Sequence, residues 1–344
     1  MNIICVLLGT VIGAGFISGT EINLFFNSIG KSGIIGIIIS GILLGICVFL
    51  SLESNCENYV ELLNRNIKNK ILIKSISFFI TAFLIVSFFI MIAGLSSFIL
   101  DEFNVDYIIA SFIGVLSTFF IIRGNIKRIE KFNEIFIPVL ITIICILAVF
   151  IDIDKINFQN IDVPKNSFAI LGTVYASYNA ISLIPVVIKL RKKENSRVKN
   201  KIISAIFAII TIVTGSIIFF LLESNKFVIN YEIPMLAIIA NEGKFIKTLV
   251  KCSIVFAILS TAISVQYAAV NNLNFNGEKS KEKFIIIIDI IAIMISKIGF
   301  KNLIALFYPL FGTIGLINYV VLVKNYIKYS KIKAKYWKNV KILI

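Results

Sequence analysis

Apolar residues run along this chain in long stretches that are separated by short clusters of charged residues. A membrane-spanning helix needs about 20 apolar residues, and most of the stretches are about that long. Breaking the chain at the charge clusters gives ten of them: 3–27, 33–52, 74–100, 107–122, 133–151, 166–190, 202–222, 246–270, 284–300 and 302–323. The pattern predicts an all-α integral membrane protein with about ten transmembrane helices, in a single domain over 1–344.

Composition excludes a soluble protein. The chain is 58% hydrophobic and 15% charged, whereas an ordinary soluble domain has about 25% charged residues. The net charge of +15 is typical of nucleic-acid binding in a soluble protein, but here the lysines cluster at the ends of the apolar stretches. We therefore expect the lipid bilayer as the partner and no nucleic acid; the oligomeric state is left open.

The distribution of basic residues predicts the orientation. If the N-terminus is cytoplasmic, the inner loops and the tail hold 25 of the 34 Lys and Arg residues, as the positive-inside rule requires. We expect a bacterial cytoplasmic membrane protein with both termini inside, so that external reagents reach Asn160 or Asn230 but miss Asn195. The N-terminus lacks the features of a cleavable signal. The basic tail 324–344 is expected to anchor at the inner interface rather than to bind a partner.

An internal repeat divides the apolar stretches into five plus five. Leu8-Gly9-Thr10-Val11 recurs as Leu171-Gly172-Thr173-Val174, 163 residues later. This offset carries the first five stretches roughly onto the last five, as repeat one (1–165) and repeat two (166–323). Because each half has an odd number of spans, the second must enter the membrane from the opposite side, which is an inverted repeat.

Glycines interrupt the first apolar stretch. Residues 8–19 contain four glycines, and each costs about 1 kcal/mol against alanine in a helix. In lipid, a loosened backbone persists only where protein or a water-filled cavity satisfies its polar groups. The sequence predicts a break at which the amides of Gly13, Ala14 and Gly15 bind a substrate carboxylate. The alternative is a seam of small residues that pack helices closely.

The sixth stretch carries a matching polar group. Tyr175, Ser177, Tyr178 and Asn179 lie within five residues and are predicted to bind substrate beside a second break, which Pro185 would extend. Alternatively, the tyrosines pack against neighbouring helices and their hydroxyls bond to backbone.

Two acidic residues lie inside apolar stretches and away from their starts, Glu21 and Asp289. A carboxylate there costs at least about 2.5 kcal/mol and is by default functional. Glu21 is predicted to couple transport to protons or to pair with a cationic substrate; alternatively, it stabilises the start of the following half-helix. For Asp289 we expect an ion pair with a loop lysine. The stretch 232–242 is either a short helix that caps a cavity or a plain interfacial helix.

The segment from Gly9 to Glu21, Gly-Thr-Val-Ile-Gly-Ala-Gly-Phe-Ile-Ser-Gly-Thr-Glu, resembles the start of the YkvI-like family of bacterial membrane proteins. That family is similar to the amino acid, polyamine and organocation transporter superfamily, whose LeuT-type fold has two inverted repeats of five spans. Two departures are Thr20 in place of the usual glutamine and a very short lead, with Lys31 as the first lysine, so that no inner gate from an N-terminal cation is expected.

The resemblance implies that the eighth span faces the first break, where hydroxyls hold sodium. Ser260, Thr261 and Ser264 are the predicted ligands, since oxygen suits a hard cation. The alternative is that these hydroxyls bond to carbonyls of their own helix.

Enzyme chemistry finds no support. The chain has no histidine, no phosphate-binding loop and no paired metal-ligand motif, and its five cysteines show no pairing pattern. We expect no catalytic residues, and no cofactor beyond a sodium ion or a proton. The predicted function is secondary transport of a small organic solute, an amino acid or related amine, by alternating access. A membrane receptor that senses a solute on the same fold, as in some relatives of the superfamily that act in spore germination, is the alternative; a purely structural membrane component is a third possibility.

Overall fold

A computed structural model describes residues 3–122, 127–156, 158, 164, 166–191, 196–273, 275 and 277–342, with side chains given except at 121–122, 127–135 and 329–342. The described residues form helices and connecting segments, with no strand among them. The α-helices are α1 Ile3–Val11, α2 Ala14–Ile17, α3 Thr20–Phe25, α4 Gly33–Leu52, α5 Tyr59–Asn66, α6 Lys70–Phe103, α7 Tyr107–Ile122, α8 Lys127–Leu147, α9 Ser167–Leu190, α10 Arg197–Ser224, α11 Pro234–Ile238, α12 Lys244–Asn271, α13 Glu278–Ser296 and α14 Phe300–Ile342.

Several helices are long and apolar enough to cross a membrane. Among the described residues six meet this criterion: Asn27–Leu52, Lys70–Phe103, Ser167–Leu190, Arg197–Ser224, Lys244–Asn271 and Phe300–Lys328. Tyr107–Phe120 and Phe136–Phe150 are shorter apolar helices. Each predicted apolar stretch lies mainly on one helix, or on α1 to α3 for the first. The protein is therefore a membrane protein with multiple apolar helices.

α9 lies at the centre of the bundle, packed between α4 and α14, while α12 packs on α6 and α10 on α4. The outer faces are apolar as well. On α4, Ile35, Ile38, Ile42 and Ile46 are exposed at a spacing of three and four residues, which places them on one side of a helix. Such a stripe fits lipid and not water.

The first helix is broken, as predicted. Helix α1 ends at Val11 and α2 begins at Ala14, so that Ile12 and Gly13 lie between them. A second interruption separates α2 from α3 at Ser18 and Gly19. Gly19 has φ of +79°, a left-handed conformation that glycine adopts without steric cost.

The sixth helix is continuous, so the prediction of a second break is wrong. α9 runs from Ser167 to Leu190 and includes Pro185. Its glycine serves close packing: a Cβ on Gly172 would lie 2.6 Å from the carbonyl oxygen of Gly36 in α4. The hydroxyl of Ser177 donates to the Thr173 carbonyl of its own helix at 2.7 Å. Here small residues bring helices together instead of opening the backbone.

Helix α5 lies within the predicted inner loop 53–74 and was not predicted. The Asn58 side chain caps it by accepting a hydrogen bond from the Glu61 amide at 2.8 Å. Tyr59 then donates to Asn318 of α14, and Lys328 donates to the Arg65 carbonyl. The beginning of the basic tail continues α14, and its side chains beyond 328 fall outside the described residues, so interfacial anchoring stays a prediction.

Candidate substrate and coupling site

The carboxylate of Glu21 connects the broken first helix to α9. Glu21 lies in the first turn of α3 and is only 5% exposed. Its Oε2 atom accepts a hydrogen bond from the Tyr178 hydroxyl at 2.6 Å and another from the Tyr175 hydroxyl at 3.2 Å. Both tyrosines are buried. Two phenol donors on one buried carboxylate form a polar site enclosed by protein.

Gly15 of α2 leaves the space that this carboxylate occupies. A Cβ atom on Gly15 would overlap the carboxylate of Glu21. Glu21 therefore folds back over the short helix α2, next to the residues whose amides were predicted to bind a substrate carboxylate. The carboxylate of Glu21 therefore lies beside the position at which a substrate carboxylate was expected.

Aromatic rings surround the two tyrosines. The closest ring centroids are 4.4 Å apart for Tyr178 and Tyr308, 5.1 Å for Phe26 and Tyr175, 5.3 Å for Phe25 and Tyr175, and 5.7 Å for Phe25 and Tyr178. Phe25 is the last residue of α3 and Phe26 follows it, whereas Tyr308 comes from α14. Sequence reasoning missed Tyr308 because it stands alone in an apolar stretch.

The other two predicted residues of α9 make different contacts. The backbone carbonyl of Ser177 faces α14, where a Cβ on Gly315 would overlap it. The amide of Asn179 donates to the Tyr175 carbonyl of the same helix at 3.0 Å. Of the four predicted residues on this helix, the two tyrosines meet at Glu21.

The three predicted sodium ligands on α12 differ in their surroundings. Thr261 lies beside the first break, where its Oγ1 is 3.4 Å from the position of a Cβ on Gly13. The hydroxyl of Ser260 bonds to the Ala257 carbonyl of its own helix at 3.3 Å, and Ser264 is exposed. Thr261 is thus the member of the set that is next to the break.

A segment of the loop between α10 and α12 covers the start of α3. The Met235 amide donates to the Ser18 carbonyl at 3.1 Å, and the Thr20 hydroxyl donates to the Glu232 carbonyl at 2.9 Å. Asn23 donates to the Ile229 carbonyl at 2.9 Å. The short helix α11 lies within the predicted stretch 232–242, and this stretch covers the start of α3. That the stretch caps a cavity stays a prediction.

Two further buried acids have partners that the sequence did not predict. Asp289 accepts a hydrogen bond from Gln266 Nε2 at 2.7 Å, and no ion pair between described residues includes it, so the predicted lysine partner is wrong. Glu223, which the sequence placed in a loop, is 3% exposed at the end of α10. It accepts from the Asn27 amide at 3.0 Å and lies 3.4 Å from Lys226 Nζ.

These features define the class: an all-helical membrane protein in which a broken helix meets a buried carboxylate. In its inward-facing conformation Mhp1, which has a LeuT-like fold, matches with a TM-score of 0.55 and 12% identity, over 94% of this chain and 75% of that one. Mhp1 is a nucleobase-cation-symport-1 family transporter. The closed conformation of Mhp1, with bromovinylhydantoin bound, matches with a TM-score of 0.55 and 15% identity, over 85% of this chain and 70% of that one. At these identities the likeness shows the fold alone.

Two relatives in Bacillus subtilis (strain 168) match over nearly their whole length. The uncharacterised membrane protein YkvI is 27% identical over 321 residues, which is 90% of this chain and 91% of that protein. The uncharacterised protein YyaD is 22% identical over 321 residues, 92% of this chain and 94% of that protein. No family model matches the chain.

Proposed function

We propose that this protein is a secondary transporter that moves a small organic solute, an amino acid or related amine, by alternating access across the bacterial cytoplasmic membrane. The transporter-like fold, the broken first helix and the membrane-protein relative support this proposal. The observation that carries it is the buried carboxylate of Glu21, folded over the break and bonded by Tyr175 and Tyr178. The proposal includes ten spans in an inverted repeat with both termini cytoplasmic.

Within that range of solutes, the chemistry around Glu21 favours an amine. A second carboxylate placed at Gly15 would be repelled by Glu21, whereas an ammonium group would pair with it. Cations are also attracted to the faces of aromatic rings within about 6 Å, and the rings of Phe25, Tyr175 and Tyr178 are packed against one another here. The substrate group that meets Glu21 is therefore positively charged.

Two coupling ions fit the site. A proton on Glu21 would neutralise the carboxylate when no cation is bound, and histidine, the usual proton carrier near neutral pH, does not occur in the chain. Alternatively, sodium would bind beside the break, with the Thr261 hydroxyl and the carbonyls around Gly13 as oxygen ligands. Both ions use groups that the structure brings next to α2.

Reconstitution into proteoliposomes tests the proposal. We expect uptake from a mixed pool of labelled amino acids and amines, driven by an imposed sodium or proton gradient. Glu21→Gln keeps the volume of the side chain and removes the charge, so the variant should insert and fold normally while uptake is abolished or no longer follows the gradient. Specific binding of a solute by wild-type protein without counterflow would identify a receptor instead. Unchanged uptake by Glu21→Gln would remove Glu21 from the mechanism.

A further inference from the structure

A second buried acid lies outside the site described above, between α12 and α13. Asp289 is 5% exposed and Gln266 is fully buried. The Gln266 amide nitrogen donates to Asp289 Oδ1 at 2.7 Å. The other end of the same amide, Oε1, is buried and has no hydrogen-bond partner among the described residues. A buried acceptor without a donor is destabilising, so the Gln266 side chain lacks one hydrogen-bond donor.

Apolar side chains surround Asp289 along its own helix. Ile285, Ile288 and Ala292 are buried on the same side of α13, while Ile286, Ile287 and Ile290 are exposed on the other. An ionised carboxylate here would have a single amide donor to offset the cost of burying its charge.

Charged groups on the helices packed against α13 lie near the helix ends. The neighbours are α6, α7 and α12. Their charged residues are Lys70, Lys74, Asp101 and Glu102 on α6 and Lys244, Lys247 and Lys251 on α12. The remaining titratable side chains are Tyr107 of α7, which donates to the Ser296 carbonyl, and Cys252 and Tyr267 of α12, both exposed. Lys251 pairs with Glu102, so the acid partner of this lysine is not Asp289.

We propose that Asp289 holds a proton and forms a two-point acid–amide pair with Gln266. The neutral carboxyl group accepts from Gln266 Nε2 through Oδ1 and donates its Oδ2 proton to Gln266 Oε1. Both ends of the buried amide are then satisfied, and no charge is buried. The pair is a proton-binding site that joins α12 to α13, and it does not depend on the proposed transport function or on Glu21.

A metal cation bound by oxygens of Asp289 and Gln266 is the alternative to a proton. Hard cations take about six or more oxygen ligands, but the neighbours of Asp289 on α13 are isoleucine and alanine. The described residues also contain no group of three or more acidic, cysteine or histidine side chains that would hold a metal. A proton needs one acceptor and one donor, which this pair supplies.

Infrared spectroscopy of the purified full-length protein tests the proposal. With carbon-13 in the aspartate carboxyls, wild-type protein at neutral pH should show a band of a protonated carboxylic acid that shifts with the label. The band should disappear in Asp289→Asn, which copies the neutral acid in shape and in hydrogen bonding, and persist in Asp154→Asn, a change at an exposed loop position. Absence of a labelled acid band from wild-type protein overturns the proposal, whether or not any variant folds.

Thermal unfolding in detergent gives an independent readout. A group that is held protonated in the folded state stabilises it at low pH, and this contribution is lost as the pH rises until the group ionises. The melting temperature of wild-type protein should therefore fall with rising pH by an amount that Asp289→Asn does not show, with Asp154→Asn behaving as wild type. A midpoint that depends on sodium in wild-type protein and not in Asp289→Asn would indicate a cation and contradict the proton.

Discussion

Tyr178 donates a hydrogen bond to Glu21 Oε2 at 2.6 Å, and Tyr175 reaches the same oxygen from one helical turn earlier at 3.2 Å. The two phenols are therefore unequal partners. We expect Tyr178→Phe to lower uptake more than Tyr175→Phe, because the shorter bond contributes more, within the range of about 1.5–3 kcal/mol for bonds to charged groups. Initial uptake rates in proteoliposomes measure the difference.

Tyr319 of α14 provides the matched control. Its hydroxyl is buried without a hydrogen-bond partner among the described residues, so Tyr319→Phe should leave stability unchanged or raise it. Equal losses of uptake in Tyr178→Phe and Tyr175→Phe would contradict the expected difference between the two hydrogen bonds to Glu21. A loss of uptake in Tyr319→Phe as large as that in Tyr178→Phe would contradict it as well.

Gly15→Ala is expected to be destabilising because the added methyl group overlaps the Glu21 carboxylate. Overpacking of this kind costs about 1–3 kcal/mol, and removing the obstacle in Gly15→Ala/Glu21→Ala should recover part of the loss. Gly114→Ala in α7 is the control: its Cβ meets Leu95 at an ordinary 3.4 Å, so it should be neutral or stabilising. Thermal unfolding of wild-type protein, Gly15→Ala, Glu21→Ala and the double variant gives the double-mutant cycle, and strict additivity would argue against direct contact.

Thr261→Val should weaken sodium dependence if sodium binds at the break. The substitution keeps the shape of the side chain and removes the oxygen that lies beside Gly13. We expect the sodium concentration for half-maximal uptake to rise about tenfold, which corresponds to about 1.4 kcal/mol. Ser264→Ala on the exposed face of α12 should change nothing. Sodium-independent uptake by wild-type protein would leave the proton on Glu21 as the coupling ion.

Thr20→Val should loosen the segment that covers α3. The hydroxyl donates to the Glu232 carbonyl, and a neutral hydrogen bond contributes about 0.5–1.5 kcal/mol. A cysteine at the fully buried position of Met235 should react faster with maleimide in the Thr20→Val background. Thr313→Val, whose hydroxyl bonds within α14, should leave the rate unchanged, and equal rates in all backgrounds would show that the bond does not hold the segment closed.

Cysteine labelling in intact cells tests the orientation. Asn160 and Asn195, two of the positions chosen from the sequence, lie outside the described residues, but Asn230 and Asn64 are both exposed on described segments. In a background without the five native cysteines, an impermeant maleimide should label Asn230→Cys and miss Asn64→Cys until the membrane is permeabilised. The reverse pattern would invert the topology.

The sequence predicted the long helices well because each of them coincides with an apolar stretch bounded by charges, whereas it missed the short polar helix α5. It also predicted the first break, since four glycines between residues 8 and 19 leave little helix propensity. It failed for the sixth helix because a glycine that loosens a backbone and one that admits a neighbouring helix look the same in sequence. Only the contact between Gly172 and Gly36 separates the two uses.

Individual site residues were recognisable, but their partners were not. Glu21 stands out as an acid in an apolar stretch, and Tyr175 and Tyr178 stand out as phenols in another. That they bond to each other across more than 150 residues is a matter of packing. For Asp289 the sequence favoured a nearby loop lysine as the partner. The carboxylate lies on the buried side of α13, where it accepts a hydrogen bond from the Gln266 amide of α12.

Glu232 accepts hydrogen bonds from two helices, α3 and α14. Its carbonyl accepts from Thr20 on α3, and its carboxylate accepts from the Lys301 amide in the first turn of α14 at 2.7 Å. A Cβ on Gly299, which has φ of +93°, would come within 2.8 Å of the same carboxylate. Helices α3 and α14 also carry Phe25 and Tyr308, the rings on either side of Tyr178. Separating α3 and α14 at this end would therefore break the contacts of Glu232 and move Phe25 away from Tyr308 in the same movement. In the proposed transport cycle, admission of a solute and exposure of Glu21 would then be one event.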